Sequence, residues 1–411
     1  MTVAAFTLGC KVNQYDTDAI LKDFANLGFE ICNKNADVYI INTCTVTNIS
    51  DKKSRQMINR AYKQNPEALI VAYGCYAQVN PQALSEIPGV AMVIGTESKH
   101  KVAEMVAEAL NVKNEGTSSF SPRRSRAFIK IQDGCDRYCS YCIVPYARGG
   151  VVSRPIEDIM AEAEALVKDG CKEIVLSGIQ IAAYGENDLY SLMQAVNDIK
   201  GLKRLRLGSL EPNIVNENFI NTAKNLAKLC DHFHLSLQSG CDRTLHRMNR
   251  RYTTAQYSQA AEAIRSAFPQ AALTTDIIVG FPGETDEDFT ESLHYAEKIG
   301  FFRVHVFAYS AKKGTPAAEF PNQIENKTKE ERSRIFRKLA DKMNRNFYRQ
   351  YLNKSMAILF ESESDGIWEG HSTSYLTVRA PAKENPVIAT VKLIEEKDGI
   401  AYGTLNKEDI K

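Results

Sequence analysis

Short β-branched runs recur along the chain, each followed by an amphipathic stretch of helical length, and this alternation restricts the fold more than any other feature. In the N-terminal part the runs are AAFTL (4–8), DVYIIN (37–42), ALIVAY (68–73) and AMVIG (91–95). A strand that leads into a helix comes back parallel to its neighbour, so the pattern predicts a helix-covered parallel sheet. The stretch NVKNEGTSSFSPRRSR (111–126) interrupts it with Asn, Gly, Ser and Pro and reads as a linker, with a boundary near residue 120. The alternation then resumes with AFIKIQ (127–132), KEIVLS (172–177), RLRLG (204–208), FHLSL (233–237), LTTDIIV (273–279) and FRVHVF (302–307). Pro155 suits a first helical turn, and Thr285 with Asp288 matches a capping box. Six β/α units predict an open or partial (β/α)6 barrel, a fold whose ligands sit at the carboxyl ends of the strands. From about residue 354 the helical period stops and MAILFES, SYLTVRA, VIATVKLI and IAYGTL follow one another between Gly, Asn and Pro, the pattern of a small all-β barrel. The expected architecture is α/β, with an N-terminal parallel-sheet domain (1–115), a central partial barrel (121–350) and a C-terminal β-barrel (354–411).

A net charge of +1 with a quarter of the residues charged carries no global basic excess that would by itself announce a nucleic-acid partner. No run of eighteen apolar residues occurs and the N-terminus MTVAAFTLGCKVNQYD lacks a charged leader, so a cytoplasmic protein with no membrane partner is expected. In a reducing compartment ten cysteines do not build a disulfide framework, and clustered ones become candidates for metal or redox chemistry.

Three of them lie in GCDRYCSYC (134–142), where Cys135, Cys139 and Cys142 follow the first strand of the second domain. A structural zinc site closes with four ligands and a ferredoxin-like cluster needs four thiolates, and here neither a fourth Cys nor a His lies nearby. Three thiolates leave one iron of a four-iron cluster open to bind a substrate. Three more cysteines recur at one topological place: Cys10, Cys44 and Cys75 each lie one to three residues past the end of a successive strand. Strand ends of a parallel sheet converge, so this set reads as a second three-thiolate site, against the alternative of scattered buried cysteines. Cys32, Cys171, Cys230 and Cys241 show no such register and read as structural.

C-x3-C-x2-C with Tyr141 before the last cysteine resembles the signature of radical S-adenosylmethionine (SAM) enzymes, in which the open iron chelates SAM and an electron cleaves it to a 5′-deoxyadenosyl radical. The resemblance implies SAM contacts at other strand ends: Ser177 and Gly178 in VLSGIQ, Gln238 and Ser239 in LSLQSG, and Ile278 in DIIVGFPGE, where Asp276 stands in place of a frequent Gly. Together with LGCKVNQYD (8–16), NTCTVT (42–47), YGCYAQ (73–78) and IQDGCDRYCSYCIVPYARG (131–149), the chain resembles the methylthiotransferases throughout its length. That implies two [4Fe-4S] clusters, one on Cys135, Cys139 and Cys142 and an auxiliary one on Cys10, Cys44 and Cys75. One SAM then supplies the methyl group and a second the radical. An unactivated C–H bond lies outside the range of side-chain acids and bases, which agrees with the lack of any Ser-His-Asp set or carboxylate pair to nominate. His232, His234, His294 and His305 read as structural, and no side chain is assigned to catalysis.

TLGCKVNQYD, RLGSLEP (206–212) and HRMNRRYT (246–253) resemble the branch acting on threonylcarbamoyladenosine in tRNA. The implied partners are the anticodon stem-loop and an electron donor such as flavodoxin or ferredoxin; of the oligomeric states, which the sequence does not fix, a monomer is favoured. Methylthiolation of an isopentenyl-type adenosine or of a ribosomal-protein aspartate, and a non-catalytic iron–sulfur or zinc protein that binds RNA, remain as alternatives. The positive excess falls on the centre, about −1, +5 and −3 over 1–120, 121–353 and 354–411. Arg123, Arg124, Arg126, Arg247, Arg250, Arg251 and the helix KTKEERSRIFRKLADKMNRNFYR are candidate phosphate contacts, against a solvated helical face for the last. The tail resembles the TRAM domain, an RNA-binding β-barrel, with Trp368, Tyr375 and Arg379 as its candidate surface.

Overall fold

The computed structural model of the chain describes residues 1–112 and 125–406. Most of the expected linker, with Arg123 and Arg124, lies outside the described residues. The chain forms two compact units. The first takes residues 1–112 together with Asp133–Val152 and Ser310–Glu319; the second takes 125–132, Ser153–Tyr309 and 320–406.

The first unit is built on a five-stranded, all-parallel sheet. Its strands are β1 (Thr2–Thr7), β2 (Glu30–Ile31), β3 (Val38–Thr43), β4 (Leu69–Gly74) and β5 (Val90–Ile94), in the order β2-β1-β3-β4-β5. Every residue of β3 is buried, as a central strand covered on both faces must be. Val3, Ile40 and Val71 pack on one face with Ile20, Phe24 and Val106, while Ala4, Ile41 and Ala72 pack on the other with Ile58 and Ala61. The helix Lys11–Asn26 changes character along its buried stripe: Ile20, Leu21 and Phe24 at its carboxyl half are apolar, whereas Asn13, Asp16 and Thr17 near its start are polar. Polar side chains at the amino end of a packed helix face something other than core. The segment 310–319 is tied in by Lys312, whose Nζ lies 2.5 Å from the Asp51 carboxylate and 3.0 Å from the Thr45 hydroxyl.

The second unit carries the partial barrel: β6 (Arg126–Asp133), β7 (Val152–Ser153), β8 (Glu173–Gly178), β9 (Arg204–Leu207), β10 (Ser209–Leu210), β11 (His232–Leu235), β12 (Ala272–Val279) and β13 (Arg303–Ala308). The hydrogen-bonded orders are β7-β6-β8-β9 and β10-β11-β12-β13. Leu205 bridges to Leu229, and β9 and β10 are one strand interrupted at Gly208, so six strand positions run from β6 to β13. Ile129, Ile174, Leu205, Phe233, Leu273 and Val304 face the surrounding helices and form one core with Leu192, Phe219, Tyr257 and Phe336. Side chains alternate along a strand, so the intervening residues line the concave face. Helix Asp286–Ile299 starts with the expected capping box of Thr285 and Asp288, while Pro155 stands just before helix Ile156–Lys168 with extended backbone, not in its first turn.

The tail closes into a five-stranded barrel of β14 (Ser355–Ser364), β15 (Ile367–His371), β16 (Thr377–Pro381), β17 (Ile388–Lys397) and β18 (Ile400–Leu405), in the order β14-β15-β16-β18-β17. β15, with its Glu-Gly pair, carries too little apolar alternation to be read as a strand from sequence; cross-strand pairing with β14 and β16 makes it one.

The loop 372–375 of this small barrel closes the amino-terminal end of the large one. Arg204 donates to the carbonyls of His371 (2.8 Å) and Ala357 (2.9 Å), and Arg206 to those of Thr373 (2.8 Å) and Ser372 (3.2 Å). Tyr375 stacks between His232 and His371, at centroid distances of 4.8 and 4.7 Å, under the Arg206 guanidinium. The RNA surface expected at Tyr375 is therefore an internal plug, and Trp368 packs against the small barrel's core. Arg126, another candidate phosphate contact, pairs instead with Glu361 at 2.9 Å. Among the described residues the amino end of the large barrel is closed by these contacts, which leaves its carboxyl end as the open mouth.

Candidate functional site

Cys10, Cys44 and Cys75 follow β1, β3 and β4, the three adjacent central strands of the first sheet. The register aligns their ends: Thr7 pairs with Asn42, Asn42 with Tyr73, and Thr43 with Gly74. Adjacent strands lie ~4.8 Å apart, so the three thiols share a strip of strand ends about 10 Å across. Cys10 is the N-cap of helix Lys11–Asn26, and Cys75 opens the short helix Cys75–Val79.

The glycine before two of these cysteines is a geometric requirement. Gly74 has φ +96°, and a Cβ there would lie 2.5 Å from Asn42 Oδ1 and 3.0 Å from the Thr43 carbonyl. Gly9 has φ +103°, and its Cβ would meet Cys44 Sγ at 2.9 Å. Bare backbone leaves the space around the Cys44 sulfur open.

Electrostatics ties the three thiols together. Burial pushes the Cys75 thiol up to about 11, opposed by the Arg148 guanidinium, and repulsion from Cys44 and Cys10 raises it further. Burial likewise raises Cys44. These are free cysteines whose thiolates are costly without a cation and close enough to repel one another. That donor set fits an iron–sulfur cluster, which supplies the positive charge that the thiolates lack.

The C-x3-C-x2-C loop belongs to the same compact unit. Gly134 (φ +72°) lets the chain turn directly against Gly150, whose carbonyl oxygen would lie 1.8 Å from a Cβ; the amide of Cys135 donates to Gly149 (3.0 Å) and that of Cys142 to Cys139 (2.9 Å). Cys139 is buried and Cys135, Tyr141 and Cys142 are half-buried. The loop thus folds back on itself at Gly134 and Gly149, and its three free cysteines are a donor set suited to a three-thiolate cluster.

A largely buried polar relay joins Cys10 to Asp133 and Arg148, the residues that flank the C-x3-C-x2-C loop. Asn13 donates to the Leu8 carbonyl (2.7 Å), while its side-chain oxygen accepts from the Cys10 thiol (3.8 Å) and from Arg148. Arg148, its side chain 2 % exposed, donates to Asp133 at 2.7 Å and lies 3.5 Å from Asp16. Lys99 bridges the same two carboxylates, 2.6 Å from Asp133 and 2.9 Å from Asp16. Burial works against the charge on Arg148, but Cys75, Asp133, Asp16 and Cys10 outweigh it and hold the guanidinium firmly protonated. Sequence reasoning missed Asn13, Lys99, Asp133 and Arg148. The available signal was polarity on the buried stripe of the first helix and an Arg six residues past Cys142.

The other expected site residues sit at strand ends in the second unit. Gly178 ends β8, and a Cβ there would lie 2.9 Å from the Gln132 carbonyl. Gln132 is buried and its side-chain oxygen accepts from the amides of Ile179 (3.1 Å) and Gln180 (2.8 Å), fixing the turn after Ser177. Gln238 adopts φ +69°; its backbone N–H donates to the Asp276 carbonyl (2.9 Å) and its carbonyl accepts from the Ile278 N–H (2.9 Å). Ser239 is buried and its hydroxyl accepts from the Cys241 amide at 3.3 Å. Two candidate phosphate contacts are committed elsewhere: Arg247 pairs with Asp288 (3.0 Å) and Arg250 with Glu211 (3.4 Å). His232 is structural, as expected, whereas His234 and His305 line the concave face.

The chain is similar to known proteins in sequence and in fold. Residues 129–296 match the radical SAM superfamily, and residues 2–95 match the uncharacterized protein family UPF0004. The chain is 37 % identical to a threonylcarbamoyladenosine tRNA methylthiotransferase, MtaB, of Bacillus subtilis over 98 % of this chain and 95 % of that one. It is 36 % identical to MtaB of Aquifex aeolicus over 90 % and 95 %. A tRNA-2-methylthio-N(6)-dimethylallyladenosine synthase of Alkaliphilus oremlandii is 35 % identical over 87 % and 82 %. Among solved structures, the radical SAM methyltransferase TsrM from Kitasatospora setae superposes with a TM-score of 0.58 at 15 % identity, covering 77 % of this chain and 76 % of that one, a likeness of fold.

Proposed function

The chain belongs to the radical SAM tRNA methylthiotransferases, and on that premise we propose that it converts N6-threonylcarbamoyladenosine beside the anticodon to its 2-methylthio derivative. Bound SAM and [4Fe-4S] clusters supply the radical, the methyl group and the sulfur, which side chains cannot. In this reading Cys135, Cys139 and Cys142 hold one cluster and leave an iron for SAM, while Cys10, Cys44 and Cys75 hold the other. One SAM serves as methyl donor and one as radical source. Tyr141, Ser177, Gly178, Gln238, Ser239 and Ile278 bind and orient SAM at the strand ends. Arg148 and Lys99 balance the negative charge between the two thiolate sets.

The observation that carries this is the alignment of three free thiols on adjacent parallel strand ends, joined through Asn13, Arg148 and Asp133 to the loop with the other three. The anticodon stem-loop is the substrate partner, a flavodoxin or ferredoxin the reductant, and the cytoplasm the compartment, with a monomer as the working form. On the small barrel, a shallow groove lined by Ile367, Arg379, Ile394 and Tyr402 remains for RNA, with Ile394 55 % exposed.

Nucleoside mass spectrometry of tRNA from a strain lacking the gene tests the reading: the methylthio-threonylcarbamoyl nucleoside should vanish, and an unchanged profile eliminates it. Loss of a methylthio-dimethylallyl nucleoside instead would establish the second reading, which the 35 % identical synthase favours.

A further inference from the structure

The concave face of the partial barrel holds a polar layer that the SAM-binding reading does not use. Strand alternation turns Ser209, His234, Ser236, Thr274, Asp276 and His305 inward, because Leu210, Leu235, Ile277 and Val304 pack against the outer helices. His234 Nε2 lies 3.4 Å from the Asp276 carboxylate and its Nδ1 3.0 Å from the Thr274 hydroxyl. The Ser209 and Ser236 hydroxyls are 2.8 Å apart, and the His305 ring sits 6.2 Å from that of His234. Asp276 precedes Ile278 by two residues, which places it one pleat repeat, about 7 Å, below the strand end.

Two contrasts mark the layer as a binding surface. The floor beneath it is sealed, with Glu173 and Arg206 1 % and 3 % exposed and bonded to each other. The layer itself is open: Asp276 is 30 % exposed, and Ser209 and His305 are exposed. Barrel interiors are ordinarily filled with branched aliphatic side chains, so stability alone does not account for a hydroxyl, carboxylate and imidazole set kept accessible to solvent.

We propose that this layer is the pocket for the substituent on N6 of the target adenosine, accepting a group rich in hydrogen-bond donors and acceptors and rejecting an apolar one. The inference rests on the reading of the substrate as threonylcarbamoyladenosine. The Asp276 carboxylate accepts from the ureido N–H groups, and the hydroxyls of Ser209 and Ser236 with the His305 ring donate to the substituent's carbonyl and carboxylate oxygens. A dimethylallyl group entering the same space strips water from these side chains and returns no hydrogen bond, the condition under which polar sites discriminate most strongly.

The test uses the full-length protein with reconstituted clusters and three anticodon stem-loop RNAs differing at one adenosine: threonylcarbamoylated, dimethylallylated and unmodified. Fluorescence anisotropy should show the wild type binding the threonylcarbamoyl RNA at least about tenfold more tightly than the dimethylallyl RNA. In Asp276→Leu, and in the double variant Ser209→Ala with Ser236→Ala, that preference should fall to about threefold or less, with kcat/KM on the threonylcarbamoyl RNA down about 30-fold. The serine pair keeps the question decidable if Asp276→Leu does not fold. A wild type that prefers and modifies the dimethylallyl RNA overturns the substrate reading, and this inference with it. A wild type active on the threonylcarbamoyl RNA whose preference survives in the folded variants overturns the inference alone.

Discussion

Arg148→Ala removes a buried side chain that ties the helix after Cys10 to the segment carrying Cys135, Cys139 and Cys142. Its guanidinium is 2 % exposed and meets Asp133 at 2.7 Å, Asp16 at 3.5 Å and the Asn13 amide oxygen. Removing one member of a buried ion pair costs about 3–5 kcal/mol, because the partner is left buried and uncompensated. Two features lower that figure here. Lys99 still lies 2.6 Å from Asp133 and 2.9 Å from Asp16, and the Asp133 side chain is 20 % exposed. About 2–4 kcal/mol remains, equivalent to a 30- to 1000-fold increase in local opening. Hydrogen–deuterium exchange of the cluster-free protein reads this directly: amides at the start of helix Lys11–Asn26 and in helix Val144–Arg148 should exchange faster by that factor, while those of β11 and β12 should be unchanged. Arg148→Lys keeps the charge but loses the planar fork, so it should fall between wild type and alanine. Wild-type protection in Arg148→Ala, with wild-type iron content after reconstitution, would refute the view that this relay holds the two thiolate sets in place.

Replacing Cys10, Cys44 and Cys75 together with alanine should leave about half the wild-type iron and sulfide, because each trio holds one cluster; colorimetric iron analysis checks it, and retention of full iron would move the second site elsewhere. Gly74→Ala forces a Cβ to within 2.5 Å of Asn42 Oδ1 at φ +96°, and should destabilise the first unit by about 1–3 kcal/mol, measured by thermal unfolding. Burial raises the Glu173 pKa, but the charge and hydrogen bonds of Arg206, with Arg126 and Arg204, outweigh it and hold the net value below the ordinary 4.5. Its contribution is therefore fully present above that pH and lost as pH falls through the lowered value. Glu173→Gln should flatten this acid limb of an unfolding series followed by circular dichroism, while lowering stability at neutral pH by leaving Arg206 unpaired.

The elements and the cysteine positions were legible in the sequence because both are local. A period of two or of 3.6 is written into consecutive residues, and Gly-Cys after a β-branched run marks a strand end wherever that strand lies, as with Gly74 and Cys75. Where local patterning was thin, reading failed: β15 has no clear alternation and exists through its pairing with β14 and β16.

Tertiary structure alone decided what meets what. Arg148 and Asn13 are 135 residues apart, and nothing near either names the other. Tyr375, on a β-barrel expected to bind RNA, becomes a plug because Arg206 and His232 stand at the amino ends of strands more than a hundred residues earlier in the chain. His234 and Asp276 each look like an ordinary strand residue, and the pairing of β11 with β12 sets them on one face. The period of a segment records which side of it is buried, but its partner across the fold is fixed by closure of the whole chain, which no short stretch encodes.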